Sequence, residues 1–361
     1  MTKKTRTFVL AAAAVLFIGL AGGLIAYLAY NRGALVGSGL PDEMRYVPAD
    51  IALVAFADVK AVMNSELRRA LMPSVDPESR KGRQMMNDFA GVDVEKQVDH
   101  IVAYVAPYTP KDPQAQDPPD MPRALVMVQG TFDPSRIEAF ISERAGKMDE
   151  YKGRKIFVRT DEGQDMAVGL VGNNLIAMGQ GDLVRGVIDQ SQGALLAKNI
   201  TSNAEMMTLV RDNAGSTAWV VGQFSEISRR MRLPSNVAGQ VPPVKLVAVK
   251  ANINGGVKVA IRAEAGDTAA ADQLRDVVRA FISLGRLQAG SKPEFETLLK
   301  SVELSGTERT VRLSFALTPE ALRAIAPIRG GRGGRGGRGF GRGPAEPPDA
   351  PSPPLPPAAP K

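Results

Sequence analysis

Apolar and polar positions alternate along this chain with three distinct textures. The first is an unbroken apolar run from Phe8 to Tyr30, FVLAAAAVLFIGLAGGLIAYLAY, 23 residues without a charge. As a helix it spans roughly 34 Å at ~1.5 Å per residue, enough to cross a ~30 Å hydrocarbon layer. The run is longer than the apolar core of a cleaved leader, and its exit, Ala26-Tyr27-Leu28-Ala29-Tyr30, offers no pair of small residues at cleavage spacing. It therefore predicts a retained transmembrane helix over 8–30, between a cytoplasmic N-terminus over 1–7 and a Gly-containing linker over 31–40. Gly19 and Gly23 form a G-x-x-x-G pair that lets two such helices approach closely, a candidate homodimer face.

The second texture occupies residues 41–327, where short apolar runs alternate with helical periodicity. Ile51–Ala57, His100–Ala106 and Ala124–Val128 read as strands, then Lys155–Arg159, Met166–Val171 and Leu175–Met178. Asp58 caps a predicted helix that carries Val59, Val62, Met63, Leu67 and Leu71 on one face, and Asp133-Pro134 starts another. Asp182–Asp189, capped by Asp182, and Ser202–Asp212, with Ser202 and Glu205 as a capping box, read as connecting helices.

The pattern then repeats. Ala218–Val221 is a strand and Phe224–Met231 a helix; Val244–Val249 and Val257–Ala263 are a strand pair around Asn254-Gly255-Gly256. Asp267 opens a long helix, Leu299–Leu304 and Val311–Leu317 close the set as strands, and Thr318-Pro319 starts a last helix. Two similar halves, 41–213 and 214–327, follow from this order. Short connections between adjacent strands predict an α+β fold, mainly antiparallel sheet with helices packed on it.

The third texture begins abruptly near Ala326. Arg329–Gly343 reads RGGRGGRGGRGFGRG, and Pro344–Lys361 holds nine Pro in 18 residues. Neither can bury a core, so 328–361 is predicted to be a disordered tail, its Pro-rich end extended.

Charge sharpens this division. The formal +7 sits at the two ends: Lys3, Lys4, Arg6 and Arg32 carry +4 without an acid, and 329–361 carries +4, which leaves 33–328 at −1. The excess of cations before the apolar run directs the N-terminus inward, placing 31–361 outside the cytoplasm. Arg329, Arg332, Arg335, Arg338 and Arg342, with Phe340 as a stacking face, form a candidate polyanion site similar to an RGG box. On that topology its partner is an anionic lipid or cell-wall polymer, and nucleic acid is disfavoured. RNA binding through the tail is the alternative if the topology is reversed.

Catalytic patterns are sparse. Cys is absent, which excludes thiol catalysis and Cys–zinc sites, and His100 is the single His. No nucleophile-elbow, Walker A or H-E-x-x-H pattern occurs. Gly179-Gln180-Gly181 continues to Gly186, too distant for a dinucleotide fingerprint, and Asp182 would repel a phosphate there. His100 reads as a strand-edge residue; Asp93, Glu95 and Asp99 read as a solvated loop rather than a calcium site. No catalytic, cofactor or metal residue is assigned. The expectation is a non-catalytic binding or scaffolding protein. With 14 Met, a carrier of a lipid or other apolar ligand is the alternative.

The stretch MRYVPADIALVAFADVKAVMNSEL, above all Tyr46–Asp50 and the strand and helix after it, resembles bacterial single-pass envelope proteins with a duplicated α/β ectodomain of unknown function. That resemblance implies a location in the bacterial cytoplasmic (inner) membrane, with the domain in the periplasm or outside. It implies no catalytic residues.

Overall fold

The computed structural model describes residues 39–71, 94–107, 123–144, 147–161, 164–194, 198–230, 242–288 and 293–322. The strands are β1 (Leu53–Asp58), β2 (Val98–Val105), β3 (Ala124–Gly130), β4 (Lys147–Tyr151), β5 (Arg154–Asp161), β6 (Gln164–Val171) and β7 (Leu175–Gln180), then β8 (Ala218–Gln223), β9 (Val244–Ile253), β10 (Val257–Ala265), β11 (Glu303–Ser305) and β12 (Thr310–Leu317). The helices are α1 (Val59–Met63), α2 (Glu66–Leu71), α3 (Val94–Gln97), α4 (Pro134–Arg144), α5 (Gly181–Ser191), α6 (Ala204–Asn213), α7 (Phe224–Arg230), α8 (Thr268–Gln288) and α9 (Pro293–Lys300), with short 3-10 turns at Asp42–Tyr46 and Ile200–Ser202.

All twelve strands join one sheet in the order β11-β12-β10-β9-β8-β1-β2-β3-β7-β6-β5-β4. Each neighbouring pair is antiparallel. The expected α+β class is therefore met. The order runs alike for three strands outward on each side of the β1–β8 ladder, where Phe56 lies opposite Trp219. Outward on one side come β2, β3 and β7; on the other come β9, β10 and β12.

Helix starts follow local chemistry. The Asp58 carboxylate accepts from Ala61 N at 2.6 Å, Asp267 from Ala270 N at 2.7 Å, and Asp133 from Ser135 N at 3.0 Å. At Pro319 a helical segment begins with the Thr318 hydroxyl accepting from Ala321 N at 3.2 Å.

Four expectations are corrected. The helix after Asp58 breaks at Asn64-Ser65, because the Ser65 hydroxyl donates to Val62 O (2.8 Å) and accepts from Arg68 N (3.3 Å), starting a second helix whose Leu67 N reaches Asn254 O at 2.6 Å. The cap of α6 is Asn203, accepting from Met206 N at 3.1 Å, rather than Ser202, whose hydroxyl donates to Asn199 O. The cap position of α5 is Gln180; Asp182 sits in the first turn and pairs with Arg123. Leu299 belongs to α9, not to a strand, and its side chain lies against Gly285 of α8. Two apolar residues in a row fit a helix face as readily as a strand.

Strand β4, KMDEY, has no apolar alternation to announce it. It pairs with β5 alone and is reached through Lys152-Gly153, both at positive φ (49° and 72°), a two-residue hairpin turn. Its exposed charges suit a sheet edge.

The two faces of the sheet are covered differently. One carries Val54, Val102, Tyr104, Leu125, Met127, Trp219 and Val221, closed by residues of the 41–51 segment, α5 and α6 in the largest core cluster. On the other, Val249, Ala251, Val257 and Val259 pack with Val62, Leu67, Leu274 and Leu322, and Phe157 and Ile176 pack with Val59, Met63 and Ile137.

Candidate functional site

Residues 41–51 cross the first face as a strap. Pro41 sets an extended start, the 3-10 turn buries Met44 and Tyr46, and Val47 and Ile51 are fully buried. The YVPAD stretch pairs with residues 198–200, just ahead of α6. Ile200 N donates to Val47 O at 2.8 Å, Ala49 N to Lys198 O at 3.2 Å, and Pro48 bridges Asn199. Asn199 turns its side-chain oxygen to Thr201 N at 3.1 Å. These residues are shaped by packing, since a proline and two buried side chains leave the strap one way to lie against the sheet.

Glu43 is the charged residue this strap buries, its side chain only 8% exposed. Its Oε2 accepts from His100 Nε2 at 2.9 Å. Gln129, opposite His100 on β3, donates its amide nitrogen to Glu43 Oε1 (3.2 Å) and to Asn174 O (3.0 Å) in the orientation that satisfies both ends of the amide. Burial works against the Glu43 charge, but the His100 hydrogen bond, a backbone N–H and the charges of His100 and Arg45 outweigh it, so the carboxyl titrates below its ordinary value.

Behind the pair runs a line of rings. His100 lies 5.7 Å from Phe56, and Phe56 stacks on Trp219 at 5.8 Å. Arg45 lies over the Tyr46 ring at 4.7 Å and donates to its hydroxyl at 2.8 Å. On the same sheet face, burial and the charge of Asp182 hold the Tyr104 phenol well above its usual range.

Chemically the arrangement is a carboxylate orienting an imidazole. The hydrogen bonds described for His100 bring it no Ser, Thr or Tyr hydroxyl to activate. The pair fastens the strap to the sheet centre, and His100, expected as a strand-edge residue, is instead the link between β2 and the segment before β1. Glu43 went unnoticed in the sequence; its one signal is an acid two residues after a proline, where a solvated turn is the ordinary reading.

Among the described residues no group of three or more His, Cys, Asp or Glu is placed to hold a metal. Asp99 pairs with Lys60, while Asp93 and the Glu95 side chain lie outside the described residues. No helix among the described residues is long and apolar enough to cross a membrane. The predicted span 8–30 with Gly19 and Gly23, and the tail 328–361 with Arg329, Arg332, Arg335, Arg338, Phe340 and Arg342, both lie outside them.

The chain is thus an α+β protein built on one wide antiparallel sheet. No protein-family model matches it, and no curated protein matches it in sequence. Among solved structures, crystal form III of TP0453 aligns at a TM-score of 0.46 and 7% identity, covering 80% of this chain and 99% of that one. Crystal form IV of TP0453 aligns at 0.42 and 8%, covering 81% and 97%. Similarity this distant carries no argument about function.

Proposed function

We propose that this chain is a bacterial membrane-anchored envelope protein whose sheet domain binds or scaffolds without catalysis, its basic tail contacting anionic lipid or cell-wall polymer. The observation that carries the reading is the 23-residue uncharged run ending at Tyr30, preceded by Lys3, Lys4 and Arg6. Two facts support it. Leu40 already packs against the core, so only a short linker separates run and domain, and the part-buried Glu43–His100 pair is used to hold that same segment in place. The strand order, alike for three strands on each side of the β1–β8 ladder, supports reading the domain as two similar halves.

The test is a pair of C-terminal reporter fusions, one active only outside the cytoplasm and one only inside, combined with alkaline extraction of membranes. Activity of the outside reporter and retention in the extracted membrane are expected. Activity of the inside reporter alone overturns the topology and revives RNA binding by the tail.

A second reading, carriage of an apolar ligand, is favoured by one observation. On the second sheet face Ala55, Ala103, Val105, Val126 and Val220 are only half-buried, and Met178 is 37% exposed. Native mass spectrometry of the full chain after lipid exposure is expected to show a bound species released by Met178→Asp. No adduct sinks this reading.

A further inference from the structure

The first sheet face is sealed by the strap, α5 and α6 only over part of its width. Over β9, β10 and β12 the same face presents Lys250, Asn252, Lys258, Arg262, Arg312 and Ser314, none of them buried. The registers place these residues side by side: Lys258 lies opposite Asn252, and Arg262 directly opposite Arg312. The opposite face of these three strands is where their apolar residues are buried, so the sheet here is amphipathic with its polar side turned outward.

A cross-strand Arg–Arg pair opposes folding, since like charges directly opposite repel. Arg262 is relieved by Asp212 and by Glu264, the latter at 2.6 Å. Among the described residues Lys250 donates to the backbone carbonyl of Asp212, at 3.3 Å. Among the described residues Arg312 and Lys258, both exposed, meet no acid. With Glu303, which β11 places on the same face opposite Ser314, the acids there are Asp212, Glu264 and Glu303 against Lys250, Lys258, Arg262 and Arg312, so the face keeps a surplus of one positive charge (4 − 3) although residues 33–328 as a whole stand at −1.

Placement adds a second argument. The strap packs on this same face, and Leu40, where the chain arrives from the predicted anchor, lies against its core. Ten linker residues, 31–40, reach at most about 35 Å when fully extended. If 8–30 spans the bilayer, the chain leaves the domain from the cationic face and on a short tether.

We propose that the polar face of β9, β10 and β12 docks on the anionic lipid headgroups of the bilayer that holds the chain, with Lys258 and Arg312 as the principal contacts. The inference rests on the anchored reading. Cations near an anionic bilayer surface contribute about 1 kcal/mol each, within a Debye length of about 8 Å at physiological salt. Neutralising both thus lowers the docked population ratio on the order of 30-fold. The tail adds attraction of its own without orienting the sheet, because nothing in its Arg-Gly repeat selects one face of the domain.

The absence of Cys makes the test clean. The full chain carrying Ser314→Cys, labelled with a fluorescent donor, is reconstituted into liposomes containing an acceptor lipid, either neutral or with a third phosphatidylglycerol. A label at Glu296→Cys, on α9 against the opposite face, serves as the reference. Higher transfer from 314 than from 296 is expected in anionic liposomes only. It is expected to be lost in 0.5 M salt (about 4 Å screening length) and in the Lys258→Gln/Arg312→Gln double variant. Equal transfer in neutral and anionic liposomes overturns the proposal, as does equal transfer from the two labels. Protection of 314 by added soluble polyphosphate, with no response to lipid charge, overturns it in favour of a polymer partner. Resistance to alkaline extraction is scored on the same liposomes. Its loss refutes the anchor itself, and is distinguishable from a chain that stays in the membrane while its sheet ignores lipid charge.

Discussion

Replacing His100 by Ala should loosen the strap from the sheet, and the size of the effect follows from what His100 touches. The variant removes the donor to a carboxylate that is 8% exposed. A hydrogen bond to a charged group contributes about 1.5–3 kcal/mol. The ring contact with Phe56 at 5.7 Å contributes a further ~0.5–1 kcal/mol. The expected loss is about 3 kcal/mol, close to 6 °C in Tm at about 2 °C per kcal/mol for a domain of this size. His100→Gln keeps an amide donor and should recover part of the loss. The pH dependence has a definite sign. The folded Glu43 carboxyl titrates below its ordinary 4.5, so its contribution is full above the unfolded value and fades as pH falls through the folded one. Without His100 burial still disfavours the charge, and the carboxyl moves up. The gap between wild type and variant should therefore be widest above about pH 5 and narrow toward pH 3. Thermal melts of the full chain in detergent, followed by circular dichroism and by the emission of Trp219, measure it. A variant that melts within ~1 °C of wild type at pH 7, or a gap equal at pH 7 and pH 3.5, refutes the assignment of the pair as a fastening.

Other outcomes follow from the same geometry. A Cβ at position 179 would run into the carbonyl oxygen of Ala124 across the β3–β7 ladder, so Gly179→Ala should cost at least ~2 kcal/mol in a urea titration, whereas Gly172→Asn, at a turn with open space around it, should cost less than half as much. Trp219→Ala removes a side chain that is 2% exposed at the β1–β8 ladder and should cost about 3–5 kcal/mol, with protease sensitivity rising in both halves together. Deleting 328–361 should leave Tm within ~1 °C of wild type and weaken salt-sensitive retention on a polyanion column; unchanged retention would remove the tail as a polyanion site. Gly19→Ile with Gly23→Ile should reduce cross-linked dimer in membranes severalfold, and an unchanged yield would exclude that helix face as the contact.

The sequence by itself determined a good deal. Asp58, Asp133 and Asp267 each start the helix that their position announces, because an N-cap depends on a carboxylate and the next three backbone amides. The strands around Asn254-Gly255-Gly256 pair as their turn demands. The α+β class follows from such local signals. The tertiary structure decided what depends on distant partners. Strand β4 exists because β5 offers it a ladder, with no apolar pattern of its own. Leu299 became helical through its packing on Gly285, and Asn203 displaced Ser202 as a cap by one residue. The pairing of β1 with β8, separated by about 160 residues, has no sequence signal, since antiparallel edges recognise each other by hydrogen bonds that every residue carries. The same holds for the candidate site. Glu43 and His100 stand 57 positions apart. Each is ordinary in its own surroundings, and only the strap laid across the sheet turns a turn residue and a strand residue into a part-buried pair.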